Sequence, residues 1–360
     1  MDKVKIGVVG AGAVGGVIGA MLAEKGYDVE IAKRYNSTIT VDNYTAIEIT
    51  GLFGNRNTLV KSVNGVTNFT SKKDIIFILT KAYDAPKVAE QCLNYLTPNG
   101  IIISSQNVMN IENMLKIVGQ DKLFGLIVNW SANKVNKAKI EVVKTGNMVI
   151  GSFNDKSDAY LAVIQRILSN VAPTEISRNI VGEIWCRTII NSCISSVGAL
   201  TGVNLGKFML MPSTHKLFTN IIKEAMQLAN AIQVKVKNYG SLDYYQFVKP
   251  GLRSYIMREK FFRHMRKQNS RFVSSCQRAI ENNKKSEIDY LNGYFVKLAS
   301  KLGMTVPTNK RVYDMVLEIE RGERSMMMEN LMDYYLRHPN KYQKVINVNK
   351  GEWFYDYRRN

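Results

Sequence analysis

Cysteine and histidine are scarce, at 4 and 3 of 360 residues. Cys92, Cys186, Cys193 and Cys276 show no CxxC spacing and no neighbouring histidine pair, which argues against a zinc site and a disulfide framework. His215, His264 and His338 have no partner spacing that suggests a catalytic triad or a metal site. No apolar run approaches the ~20 residues that a membrane-spanning helix needs. The opening Met-Asp-Lys-Val-Lys-Ile runs straight into a strand pattern. No signal peptide is therefore expected, and a cytoplasmic location is. Acidic charge is the last shortage: 30 Asp and Glu stand against 49 Lys and Arg, for a net charge of +19. The excess is uneven, with 20 basic and 15 acidic side chains in residues 1–178 and 29 and 15 in residues 179–360. Nucleic acid, an anionic membrane surface and a phosphorylated small molecule all fit such a balance.

What is present is a folded composition, 46% hydrophobic and 22% charged, in a length that suits two domains. The first half alternates strand-like and helical stretches. Residues 3–9 read as a buried strand, followed by a Gly-rich turn and a helix to Lys25 that Gly26 stops. Residues 27–32, 74–80, 100–104 and 124–129 read as further strands. Residues 139–143 and 147–150, separated by Lys-Thr-Gly, look like an antiparallel hairpin. This alternation predicts a parallel sheet covered on both faces. From about Ile180 onward the strands stop and apolar residues recur at helical spacing, as in Leu217, Ile221, Ile222, Ala225, Met226 and Ala229. The expected organisation is a dinucleotide-binding domain over 1–178, a helical substrate-binding domain over 179–324 and a C-terminal extension over 325–360.

Gly10-Ala11-Gly12-Ala13-Val14-Gly15 fits GxGxxG between a strand and a helix. In that context Gly10 permits the tight turn, Gly12 lets backbone approach a pyrophosphate and Gly15 allows close helix–strand packing. The phosphates would face the amides at the helix start. The following strand runs into Lys33-Arg34 with no acid at its tip to take ribose hydroxyls. Arg34 is suited to a 2′-phosphate, with Lys33 adding charge, so NADP(H) is expected over NAD(H). In the second half Arg187, Asn191 and Ser195 fall at i, i+4 and i+8, one polar stripe along an apolar helix. Such a stripe calls for a buried polar network or a ligand.

With these residues in view the chain resembles the ketopantoate reductases (2-dehydropantoate 2-reductases) over all but its C-terminal tail. The resemblance rests on the glycine fingerprint, on Lys81 in Leu-Thr-Lys-Ala, on Asn107, on Asn191, and on Glu287-Ile288-Asp289-Tyr290-Leu291-Asn292-Gly293 with Ser275 upstream. It implies a Rossmann-type domain followed by an all-α domain, and NADP-dependent reduction of a 2-oxo acid to the 2-hydroxy acid. It implies cofactor contacts at Lys81, Asn107 and Glu287, and substrate contacts at Asn107, Asn191, Ser195 and Ser275. Arg187 and Glu287 take the catalytic positions. Two departures stand out: the family's general-acid lysine is replaced by Arg187, and its second asparagine gives way to Ser195-Ser196. Arginine stays protonated, so it can polarise a carbonyl or grip a carboxylate but not donate a proton efficiently. An impaired NADP-binding sensor on the same fold is the alternative. A homodimer is compatible with the sequence and not demanded by it. The cations of residues 253–271 interleave with Tyr255, Phe261 and Phe262. Ile256, Phe261 and Phe262 are expected to face the core and leave a solvated basic face, which disfavours nucleic-acid binding.

Overall fold

The computed structural model describes residues 3–33, 43–154, 158–268 and 270–339. The chain divides into two compact units, Met1–Ile180 and Val181–Asn360. The first unit carries strands β1 (Lys5–Val9), β2 (Asp28–Lys33), β3 (Tyr44–Gly51), β4 (Arg56–Asn64), β5 (Lys73–Ile78) and β6 (Leu96–Ser104). It continues with β7 (Leu123–Val128), β8 (Ser131–Lys134), β9 (Lys139–Lys144), β10 (Met148–Ser152) and β11 (Thr174–Ile176). Helices α1 (Ala13–Glu24), α2 (Ala85–Leu93), α3 (Val108–Val118) and α4 (Asp158–Leu168) connect them, with α5 (Ile180–Thr201) beginning at the unit's end. All eleven strands form one sheet in the order β11-β10-β7-β6-β5-β1-β2-β4-β3-β9-β8.

The central strands β7, β6, β5, β1, β2 and β4 are parallel, as crossover helices require. The sheet as a whole is mixed, because β3 pairs antiparallel with β4, β8 with β9, and β10 with β7. The expected hairpin of residues 139–143 with 147–150 does not form. Its first strand pairs with β3 and β8, its second with β7 and β11, at opposite ends of the sheet. The reason lies in β7, which is buried along its whole length and needs a partner on its second edge. Met148, Val149 and Ile150, all buried, supply that partner. Gly146 sits where a Cβ would come 2.5 Å from Asn129 O, so the connection is pressed against the end of β7. The hairpin that does form joins β8 to β9, where Asn136 Oδ1 accepts from the amides of Ala138 and Lys139, an Asx turn.

The far end of the first unit's core holds a buried charge pair. Lys73 Nζ lies 2.7 Å from Glu30 Oε2, both residues being at most 2% exposed. Thr70 donates to Glu30 from its amide and its hydroxyl, each at 3.0 Å. Gly7 makes room for this group, since a Cβ there would meet Phe69 at 3.0 Å and Lys73 at 3.3 Å.

The second unit is helical: α6 (Leu205–Phe208), α7 (Pro212–Ala231), α8 (Tyr244–Val248), α9 (Leu252–Gln268), α10 (Ser275–Glu281), α11 (Asn292–Lys301), α12 (Pro307–Glu320) and α13 (Tyr334–Arg337) follow α5. The apolar stripe of α7 is buried as its spacing predicts. A carboxylate inside this unit starts α12. Glu224 accepts from the amides of Thr308 and Asn309 at 2.8 and 2.9 Å, standing in for a capping side chain. Burial pushes its carboxyl above the usual range against the pull of those donors. On α9, Phe261 and Phe262 are buried, whereas Ile256 is 44% exposed, against expectation. Ser254, wholly buried and bonded by Gln246 Nε2 at 2.9 Å, fixes the helix start. The inward stripe then runs 254, 258, 261–262, 265, and position 256 falls on the outer face with Arg253, Lys260, Arg263 and Lys267. Beyond α12 the chain folds back on α5, with Met327 N and Asn330 Nδ2 both donating to Leu200 O. Among the described residues no helix is long and apolar enough to cross a membrane, and no His/Cys/Asp/Glu group could hold a metal ion.

Candidate functional site

In the first unit the candidate residues gather at the carboxyl ends of β1, β2, β5 and β6, where open α/β sheets bind ligands. Gly10 follows β1 at φ +107°, and a Cβ on it would lie 2.6 Å from the Leu79 carbonyl carbon. Both the dihedral and the close approach of the segment after β5 require glycine. Gly15 is excluded from substitution by contact, because its Cβ would fall 2.1 Å from Gly10 O. Gly12 differs: a Cβ there meets nothing within 4 Å. It is the extended residue before α1, no side chain caps the helix, and no acid sits in the first turn. The open side of Gly12 and the adjoining helix-start amides of Ala13 and Val14 fit a pyrophosphate. A second observation agrees: the buried Thr80 hydroxyl at the same end of the sheet has no hydrogen-bond partner within the protein.

The contrast among the glycines gives a sharp test. Gly12→Ala is expected to leave the thermal midpoint unchanged while weakening dinucleotide binding at least tenfold, as the methyl intrudes on the open side. Gly15→Ala is expected to lower the midpoint itself, because backbone must move. Equal midpoints for the two variants in a thermal melt would contradict this assignment.

Asn107 caps α3 through its side chain, whose Oδ1 accepts from Asn110 N at 3.3 Å. With that oxygen engaged, what Asn107 has to offer a ligand is its amide NH2. Asn110, wholly buried, donates to Ala82 O at 2.7 Å and to Gln106 Oε1 at 2.9 Å, while Gln106 donates to Thr80 O. This small network ties the segment after β5 to the start of α3 and was not legible in the sequence. Lys81 lies exposed on that segment. Lys33 ends β2 and hydrogen-bonds Thr45 Oγ1. Arg34 lies outside the described residues. Lys134 at the end of β8, which sequence reasoning missed, donates from Nζ to Ala11 O at 2.7 Å. Burial lowers the pKa of both lysines, and the Lys134 charge lowers that of Lys33 further.

In the second unit α5 presents Arg187 half-buried, Asn191 exposed and Ser195 6% exposed. Ser195 Oγ stands 3.4 Å from Ser275 Oγ, joining two predicted residues 80 positions apart. The approach is close because Gly198, on the next turn, faces Ser274, where a Cβ would come within 2.5 Å of the hydroxyl. Ser274 caps α10 by accepting from Gln277 N and donates to Ser195 O at 3.2 Å. The other hydroxyls of α5 point elsewhere. Thr188, Ser192, Ser196 and Thr201 each donate to the carbonyl four residues back, so Ser195 and not Ser196 meets Ser275.

Glu287 is half-buried ahead of a 3-10 turn, Ile288–Tyr290, and its backbone borders the Cys276 thiol at the start of α10. Glu287 therefore sits near Ser275. The rest of its signature is framework. Asp289 holds Lys285 at 2.8 Å and accepts from Tyr313 OH at 2.6 Å. Asn292 donates to Asn309 Oδ1, which belongs to the Glu224 cluster, and Gly293 leaves space for Tyr313. The four cysteines are buried, and burial pushes the Cys92 and Cys186 thiols up to about 12, which makes them poor nucleophiles.

Comparison with known proteins places these residues in context. The model described as "Ketopantoate reductase PanE/ApbA" matches residues 6–155, and that described as "Ketopantoate reductase PanE/ApbA C terminal" matches residues 179–320. The 2-dehydropantoate 2-reductase of Aquifex aeolicus is 25% identical over 313 residues, 86% of this chain and 94% of that protein. That of Pyrococcus abyssi is 23% identical over 315 residues, 87% and 96%. A crystal structure of a PanE/ApbA family ketopantoate reductase from Ralstonia eutropha superposes with a TM-score of 0.74 at 22% identity, over 89% of this chain and 99% of that one. D-mandelate dehydrogenase with NADH and anilino(oxo)acetate gives 0.75 at 17% identity, over 88% and 99%.

Proposed function

The chain belongs to the ketopantoate reductase family, a family of oxidoreductases, and from that premise we propose that it reduces a 2-oxo acid such as 2-dehydropantoate with NADPH. The observation that carries this reading is the glycine turn with its open side at Gly12, in a chain whose two parts match the family in order. The nicotinamide cofactor supplies the hydride when bound; the protein supplies orientation and charge. Gly10 to Gly15 would hold the pyrophosphate, Lys33, Arg34 and Lys81 the cofactor's other phosphate charge, and Asn107 the nicotinamide side. Preference for NADP rests on a β2 strand that ends in Lys33 without an acid. A structural neighbour, D-mandelate dehydrogenase, is seen with NADH.

Arg187 carries the chemistry that this chain brings to the substrate. A guanidinium holds its charge at any working pH, so its role is to polarise the ketone oxygen or grip the carboxylate, and the proton comes from solvent. Asn191, Ser195 and Ser275 would orient the 2-oxo acid, Ser195 standing where the resemblance implies an asparagine. The test is NADPH oxidation with a panel of 2-oxo acids including 2-dehydropantoate, beside direct titration with NADPH. Turnover with one of them is the expected result. Tight NADPH binding without turnover of any would instead identify a sensor, the reading that the arginine at this position favours.

A further inference from the structure

The carboxyl end of β2 carries a second cation that the glycine fingerprint does not account for. Lys33 is fixed there by Thr45 Oγ1, which in turn pairs with Ser62 Oγ at 2.8 Å. Lys134 arrives from a distant strand, β8. It is 123 residues from Ala11 along the chain, yet its Nζ bonds the Ala11 carbonyl inside the glycine turn. Delivery depends on the β8–β9 hairpin, which β9 attaches to the sheet through β3 and the Asn136 turn closes. Gly16 permits α1 to lie against that hairpin, since a Cβ would strike Ile140 at 2.4 Å.

The Lys134 ammonium is near enough to disfavour the charge of Lys33, which is half-buried, while Lys134 itself lies exposed. Among the described residues neither forms an ion pair. Like charges brought together in that way cost Coulomb energy, which a dianion between them removes. A phosphate ester on the ribose 2′-oxygen is a dianion, and the ribose lies at the end of the second strand in folds of this kind. An ammonium has three donors, so the bond to Ala11 uses one and leaves two for phosphate oxygens. We propose that Lys134 is a specificity residue for the dinucleotide, forming with Lys33 a two-sided cationic clamp on its 2′-phosphate. This rests on the dinucleotide reading above and adds to it a residue from outside the βαβ unit. The clamp also links recognition to the pyrophosphate turn, because the same ammonium that meets the 2′-phosphate is bonded to Ala11.

The test is calorimetric titration of the full chain and of Lys134→Met, Lys134→Arg and Lys33→Met with four probes: NADPH, NADH, 2′,5′-ADP and 5′-AMP. Lys134→Met is expected to weaken NADPH and 2′,5′-ADP about 10- to 100-fold, the loss of one charged hydrogen-bonding partner, and to weaken NADH and 5′-AMP by only about twofold, through the lost bond to Ala11. Lys134→Arg should retain most of the affinity, and Lys33→Met should reproduce the selective loss. An equal loss for NADPH and NADH would mean that Lys134 only props the glycine turn, and would overturn the proposal. So would unaltered NADPH affinity in Lys134→Met. Wild-type protein that binds neither dinucleotide would instead remove the dinucleotide reading itself, and the clamp with it.

Discussion

Turnover of 2-dehydropantoate is expected to rise about 10²–10⁴-fold when Arg187 is replaced by lysine, the range that a well-placed general acid contributes. In the proposed reading, Arg187 stands where the resemblance implies the lysine that would protonate the developing alkoxide. Lysine gives up a proton when burial and neighbours bring its pKa toward the working pH; arginine does not. The substitution also keeps the position half-buried on the same face of α5, eight residues or about 12 Å before Ser195. The pH profile separates this effect from a change in packing. A lysine acid is active while protonated, so the rate with Arg187→Lys should fall as pH rises through the lysine pKa. Wild-type enzyme should show no such limb. Arg187→Ala should lose a further factor of about 10²–10³, the usual cost of removing one oxyanion donor. A wild type that already turns over as fast as the lysine variant, with the same alkaline limb, would refute the view that Arg187 changes the proton economy.

The largest effect on stability is expected at Glu30. Removing its carboxylate with Glu30→Ala strands the Lys73 ammonium in the core beside the Phe69 ring, 5.1 Å from its centroid. Breaking one side of a buried pair costs about 3–5 kcal/mol, far more than the pair itself contributes over an apolar replacement. The double substitution Glu30→Leu with Lys73→Met should therefore recover most of the loss. Urea unfolding midpoints of the two single variants and the double variant measure this directly. A loss below about 1 kcal/mol for Glu30→Ala would show that water reaches Lys73.

Both predictions draw on features that the sequence reveals unequally. The β1–glycine turn–α1 segment was legible because everything that defines it is local: a five-residue apolar strand, glycines at fixed offsets and a helix stopped by Gly26 at φ +85°. The stripe of Arg187, Asn191 and Ser195 was legible for the same reason, since helical spacing alone places them on one face. The Ser195–Ser275 contact was not legible, because nothing in either segment names the other and the resemblance implied each only as a substrate contact. The hairpin reading of residues 139–150 failed at the point where pairing stops being local. Two adjacent strands joined by Lys-Thr-Gly satisfy every local criterion, yet the open edge of β7 competes for the second one and wins. Lys134 was missed on the same ground. On a short strand with both half-buried and exposed residues it looks like any solvated lysine, and only the sheet order brings it to Ala11. The hairpin of β3 and β4 likewise carries no long apolar run, because much of it faces solvent.

The sheet order also sets a schedule for synthesis. The glycine fingerprint is complete once the first βαβ segment has been made, and its Ile-rich strands can already collapse. Its outer side is not, because Ile140 and Lys134 come from a hairpin more than a hundred residues later. Contacts of such sequence separation form late and slow folding relative to local ones. A nascent chain released or cleaved after Val128 would thus carry the entire fingerprint and still lack the hairpin that packs against it. On the proposed reading, ligand binding would follow the packing of the β8–β9 hairpin against α1, after the motif itself is complete.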